Sequence, residues 1–350
     1  MFRETLNFVC ARTEGSKADN RNVVSGIGAR LLGSTGLTVS RIGLGLAALG
    51  RPAYINLRRD QDYGHERTVA AMEQRCHEML DAAYAAGVRY VDAARSYGLA
   101  ESFLGTWLGA RRLSRDALTI GSKWGYSYVG AWRLDAPVHE VKDLSVETLR
   151  RQIVESRMVL GDQLRLYQIH SATIESGVLD DGRVLDELGR LKSEGLAIGL
   201  TVTGPGQADV IRRALDVNTR RANLFQVVQA TWNLLEPSAG PALADAKALG
   251  LGVILKEALA NGRLTDRNTA YDLSSLKTYA EAHRTSPDVV AIAAALSNRW
   301  VDVVLSGAVT VDQLTSNLQA IVLAEASGDW PDIAEPSDEY WTRRGALAWQ

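Results

Sequence analysis

Between residues 42 and 323 the chain repeats one alternation eight times: a short run rich in Val, Ile and Leu, then a longer segment whose apolar positions recur at helical spacing. The short runs fall at 42–46, 90–92, 118–123, 166–170, 197–201, 224–229, 252–256 and 303–306. Strands joined by crossovers of helical length must lie parallel, and parallel strands need both faces covered. Eight such units with no polar linker between them specify an α/β fold, a (β/α)8 TIM barrel, as one domain over residues 29–350. Ahead of the first unit, two short apolar stretches flank Gly33-Ser34-Thr35-Gly36, which reads as an N-terminal β-hairpin. Residues 1–28 read as a disordered N-terminal extension, because their arginines are interrupted by acids and no apolar stretch marks a signal.

Charge and cysteine usage narrow the partners. With 39 basic and 41 acidic residues the formal net charge is −2, and no block of like charge offers a stripe for nucleic acid. No apolar run approaches the ~20 residues needed to span a bilayer, so no membrane partner is expected. Cys10 and Cys76 are far apart, and neither has a neighbour at redox or metal-ligand spacing. A reduced, cytoplasmic setting without a bound metal is therefore expected.

Three connections, 50–68, 124–145 and 261–278, are longer than the others, and each follows a strand. In a barrel of this kind the loops after the strands build the active face, so these are expected to wall a pocket. The second carries Trp124, Tyr126, Tyr128, Trp132 and His139, and Trp124 and Trp132 are the candidate substrate-pocket residues. Aromatics in such a loop can equally anchor it to the barrel rim.

Four polar residues carry the chemistry. Asp92, Lys123 and His170 stand at the C-terminal ends of predicted strands two, three and four, where apolar side chains would be the default, and a closed barrel gathers such ends at one mouth. Tyr97, followed by Gly98, lies five residues beyond Asp92 and can reach the same mouth. A tyrosine is a poor proton donor near neutral pH unless a cation favours its phenolate. Lys123 supplies that cation, Asp92 offsets the cost of burying the lysine, and His170 can orient a substrate oxygen. Each has an ordinary reading alone, as a helix cap, a solvated strand end, a core histidine or a rim aromatic. Their complementary roles at three successive strand ends favour the functional one.

The chain resembles the aldo-keto reductase family from Leu32 to about Ile321. The stretch LGSTGLTVS at 32–40 with Ile42-Gly43-Leu44-Gly45 resembles the family's opening hairpin and first strand, and GVRYVDAARSYG at 87–98 resembles its Asp and Tyr segment. The resemblance implies an NAD(P)H-dependent enzyme that reduces the carbonyl of an aldehyde or ketone, with Asp92, Tyr97, Lys123 and His170 as its catalytic tetrad. It also implies cofactor contacts from Gly45, Leu46, Thr201, Gln229, Lys256, Glu257, Ala258, Leu259, Ser306, Gly307, Gln313 and Asn317. Three positions depart from the pattern: Ala93 stands where threonine is common, Val202 replaces the asparagine that usually holds the nicotinamide amide, and Lys256 replaces the aromatic that commonly stacks on the ring. The resemblance favours NADPH, with NADH possible. No Lys or Arg occurs between 306 and 313 to bind a 2'-phosphate, so NADH is expected to trail by no more than about 100-fold.

The run GLGLAALG at 43–50 is not a dinucleotide fingerprint, because its third glycine falls too late and no helix follows at once. Two rival functions use the same barrel. A nicotinamide-binding sensor or regulatory subunit would bind without appreciable turnover, and an aldolase would use Lys123 to form a Schiff base. The complete set of four polar residues favours the reductase.

Overall fold

The computed structural model describes residues 28–349 except 59, 64, 65, 271 and 327. The expected extension at 1–28 therefore lies outside the described residues apart from Gly28. The chain enters through an antiparallel hairpin of β1 (Ala29–Leu31) and β2 (Thr38–Ser40). The barrel strands follow as β3 (Ile42–Gly45), β4 (Tyr90–Asp92) and β5 (Thr119–Trp124). A second small hairpin, β6 (Tyr126–Tyr128) with β7 (Glu140–Lys142), rises from the loop after β5. The barrel then continues through β8 (Leu164–Ala172), β9 (Ala197–Val202), β10 (Val227–Thr231), β11 (Gly252–Lys256) and β12 (Val303–Ser306). It closes in parallel through the pairing of β12 with β3. All eight expected barrel strands are present, with ends moved by a few residues.

The first hairpin plugs the N-terminal end of the barrel. Leu32, Leu37 and Val39 are buried against Tyr90, Leu166, Val227, Ile254 and Val303, which fill the barrel interior from alternate positions of its strands. The fit is close enough to dictate a glycine. Gly33 has φ +51°, and a Cβ there would stand 2.1 Å from the Gly252 amide nitrogen. Further along the interior, Tyr90 occupies the space that Gly43 and Gly121 leave free, since a Cβ at either would meet its ring or hydroxyl within 2.7 Å. The larger apolar layer lies between the strands and the surrounding helices, such as Val69–Ala85, Val146–Leu160 and Gly182–Ser193. With the bottom sealed and the strand ends fixed by packing on both sides, the open mouth is left as the place for a site.

Two regions differ from the sequence expectation. The loop 124–145 is partly ordered by the hairpin β6–β7 rather than irregular throughout. The chain also ends in a helix, Ser337–Gly345, beyond the last expected unit. Its Tyr340 is buried in a cluster with Leu234, Leu264 and Leu276, which docks the C-terminal segment beside the mouth.

Candidate active site

Asp92 closes β4, and the parallel registers set it level with Gly45 on one side and Gly121 on the other. Its carboxylate is buried and fully engaged. Oδ1 accepts from Tyr90 Oη and Gln229 Nε2, each at 3.0 Å, and Oδ2 accepts from Lys123 Nζ. Lys123, 1% exposed, spends its remaining donors on Ala93 O at 2.9 Å and Tyr97 Oη at 3.2 Å. A buried ammonium is tolerated when all its hydrogens find acceptors and a carboxylate balances its charge, and both conditions hold here.

The bond to Tyr97 also has a direction. Because Lys123 donates to the phenol oxygen, the hydroxyl hydrogen is left to point elsewhere, toward the cavity that Tyr97 lines. Burial, reinforced by the Asp92 carboxylate, holds the Tyr97 phenol well above its ordinary value, and Arg51 is a cation that pulls the other way. The phenol is therefore protonated near neutral pH. The downward tuning expected from Lys123 alone is offset here by burial and by the charge of Asp92.

His170 is aimed by an irregularity in its strand. The register between β8 and β9 shifts between Ile169 and Ala172, and Ser171 adopts φ +54°. Bulges of this kind re-aim a side chain beside a site. The imidazole stands edge-on to the Tyr97 ring at 5.5 Å between centroids, with Nδ1 3.4 Å from Ser96 Oγ. Burial first, then the nearby Lys123 charge, depresses its pKa well below the ordinary value, so the ring is neutral.

Asp92, Tyr97 and His170 line a cavity of about 750 Å³, with Lys123 behind them. Of the expected cofactor residues, Gly45, Thr201, Gln229, Lys256, Glu257, Ala258, Leu259, Ser306, Gly307, Gln313 and Asn317 line it. Leu46 does not. Its side chain is buried in the layer behind the strands, and its amide donates to Asp92 O. Gln229 is 1% exposed and its Oε1 has no partner, an orphaned acceptor in the cavity wall that fits a primary amide such as that of nicotinamide. Lys256 Nζ donates to Thr231 Oγ1 at 2.9 Å, and burial pushes its pKa down to about 8. Glu257 follows in a left-handed conformation, φ +56°. Burial alone would raise its carboxyl, but Arg344 from the last helix, with Lys256, holds it down to about 2.

The two tryptophans expected in the substrate pocket lie elsewhere. Trp124 is completely buried in the core behind β5. Trp132 packs edge-on against Phe103 and donates from Nε1 to Arg67 O at 2.7 Å. Both anchor the loop to the body of the protein. The walls nearest Tyr97 come instead from Arg51, Tyr54, Tyr126, Glu140 and Trp349. Arg51 is 2% exposed and donates to Glu140 Oε1 at 2.6 Å and Ser96 O at 3.1 Å. Its guanidinium carbon sits 5.4 Å from the Tyr97 ring centroid and 4.7 Å from that of Trp349. The sequence reading missed Arg51 because it follows a strand-end loop with no distinguishing pattern, and missed Trp349 and Arg344 because they lie beyond the recognised units.

Among the described residues no group of three or more His, Cys, Asp and Glu is placed to hold a metal, and no helix is long and apolar enough to cross a membrane. Comparison with known proteins agrees with the geometry. A profile of the Aldo/keto reductase family matches residues 41–335. L-galactose dehydrogenase of Arabidopsis thaliana is 28% identical over 328 residues, covering 85% of this chain and 89% of the relative. D-threo-aldose 1-dehydrogenase of a Pseudomonas species is 26% identical, covering 86% and 95%. The holo form of an aldo-keto reductase from Bacillus halodurans superposes with a TM-score of 0.63 at 20% identity, over 92% of this chain and 96% of that one, a likeness of fold. With the profile spanning most of the barrel, the chain belongs to the aldo/keto reductase family and is an NAD(P)H-dependent oxidoreductase.

Proposed function

We propose that this enzyme reduces the carbonyl of a small, hydroxylated aldehyde or ketone, with Tyr97 as the proton donor. The observation that carries the reading is the saturated Lys123, whose three donors hold Asp92, Ala93 O and Tyr97 Oη together at the floor of the cavity. The orphaned Gln229 Oε1 supports a nicotinamide beside it. When bound, the reduced nicotinamide supplies the hydride that reaches the carbonyl carbon.

The chain's own residues do the rest. Tyr97 Oη transfers its proton to the carbonyl oxygen as negative charge develops there. Lys123 already donates to the phenol oxygen and so stabilises the phenolate that remains. A neutral His170 with its proton on Nε2 donates to the same substrate oxygen and fixes its approach. Lys256 and Gln229 hold the nicotinamide end, and Ser306, Gly307, Gln313 and Asn317 the adenosine end, following the rule that the loops after the seventh and eighth barrel strands take phosphate-bearing ligands. The reverse oxidation uses the same groups in the opposite order.

The substrate class follows from the corrected walls. With Trp124 in the core and Trp132 half-buried against Phe103, the surface facing Tyr97 mixes the ion pair Arg51–Glu140 with Tyr126, His170 and the flat ring of Trp349. Such a wall offers hydroxyl groups both donors and acceptors. The names of two relatives, an L-galactose and a D-threo-aldose dehydrogenase, point to the same class. A panel of simple, aromatic and polyhydroxylated carbonyls, followed by nicotinamide absorbance, tests the reading. Turnover highest for the hydroxylated members is expected, and carbonyl-dependent trapping by borohydride without nicotinamide oxidation would point to Schiff-base chemistry instead.

A further inference from the structure

The arm of the cavity walled by residues that follow β11 and β12 is acidic. Asp266, Asp288 and Asp312 line it together with Ser286, Gln313 and Ser316. Asp312 and Gln313 lie in the first turn of the helix Val311–Ala326 that follows β12, and Asp288 in that of the preceding helix, Pro287–Leu296. Arg267 also lines this arm, but its charge is already committed. Its guanidinium grips both oxygens of Asp62, with Nη1 2.6 Å from Oδ2, and Asp62 Oδ1 accepts in addition from Gln313 Nε2 at 2.8 Å. With the Arg267–Asp62 pair neutral as a unit, the three remaining carboxylates set the sign of the arm.

On the reading that Tyr97 marks the nicotinamide end, this arm receives the adenosine ribose. A 2'-phosphate brings about 1.5 to 2 negative charges and calls for cationic hydrogen-bond donors. A 2'-hydroxyl brings a donor and calls for an acceptor. Asp288 supplies one: its Oδ2 accepts from Ser316 Oγ at 2.8 Å, and its carboxylate has further lone pairs to offer the cavity it lines. Nucleotide-binding folds use an acidic side chain on the ribose 2'-hydroxyl in the same way when they select NAD over NADP.

We infer that Asp288 and Asp312 make this enzyme selective for NADH over NADPH, by accepting the ribose 2'-hydroxyl and repelling a 2'-phosphate. The inference rests on the proposed cofactor orientation. It reverses the NADPH preference implied by the resemblance, because the stretch 306–313 not only lacks a cation but carries Asp312, and Asp288 joins it from the preceding helix.

The test is direct binding to the full-length protein, with tryptophan fluorescence or calorimetry giving dissociation constants for NADH and NADPH. The wild type is expected to bind NADH at least tenfold more tightly, about 1.4 kcal/mol. A smaller ratio, or one in favour of NADPH, overturns the inference. Asp288→Asn with Asp312→Asn is expected to tighten NADPH binding at least fivefold while leaving NADH the same or weaker. If circular dichroism matches the wild type and the ratio does not move, the two residues are not the selectors. Binding of neither nucleotide would overturn the cofactor reading itself and so remove the basis of the inference.

Discussion

Replacing Arg344 by Met should release the last helix from the mouth of the barrel. Arg344 makes three hydrogen bonds to Glu257, from Nε at 3.1 and 3.0 Å and from Nη2 at 2.5 Å. Glu257 is 8% and Arg344 24% exposed, so the pair is only weakly screened by solvent. A carboxyl lowered from an ordinary 4.5 to about 2 corresponds, at about 1.4 kcal/mol per pH unit, to an upper bound of roughly 3 kcal/mol. Part of that belongs to Lys256, so about 2 kcal/mol is expected for the loss of Arg344. Because the folded value lies below the unfolded one, the stabilisation is fully present above pH 4.5 and is lost as pH falls toward 2. Hydrogen exchange of the amides in the helix Ser337–Gly345 is the assay. Their protection should fall roughly 30-fold in Arg344→Met at pH 7. Adding Glu257→Gln should recover part of it, since the buried unpaired charge is then removed. Protection within threefold of wild type in Arg344→Met would refute the reasoning.

Lys123→Met leaves the Asp92 carboxylate unpaired beside Tyr97, so turnover should fall and the basic limb of its pH profile should move upward; an unmoved limb in the residual activity contradicts the role given to Lys123. Lys256→Ala should weaken binding of both NADH and NADPH about tenfold, roughly 1.4 kcal/mol, because its stem and head serve the part the two share. Since the Lys256 ammonium loses its proton near about 8, nucleotide affinity of the wild type should decline above that pH and the decline should vanish in the mutant. Fluorescence titration from pH 7 to 9.5 checks both.

The barrel was legible because its signal is repeated. Each of the eight apolar runs is ambiguous alone, but their alternation with amphipathic helices leaves few other topologies. The meeting of Asp92, Tyr97, Lys123 and His170 was legible because polar residues at strand ends violate the apolar default, and closure of the barrel brings β4, β5 and β8 side by side. The two tryptophans were misplaced because sequence gives a loop's aromatic content and not the direction of its side chains. Trp124 is the last residue of β5, where strand alternation turns it outward into the core, opposite to Lys123. Leu46 was misplaced for a related reason: its backbone meets Asp92 while its side chain faces the helices. Arg51, Arg344 and Trp349 converge on the mouth from loops and from the C-terminal segment, and no local period records where such residues arrive.

The measurement that bears most directly on the central claim is Tyr97→Phe, read by two independent quantities. The ring keeps its edge-on contact with His170 while the hydroxyl that accepts from Lys123 is removed. Turnover with a carbonyl substrate should fall by roughly 10²- to 10⁴-fold, the usual share of a general acid, while the dissociation constant of the nicotinamide cofactor should stay within about twofold of wild type. A mutant that binds cofactor normally and retains near-wild-type turnover would show that the proton comes from another group.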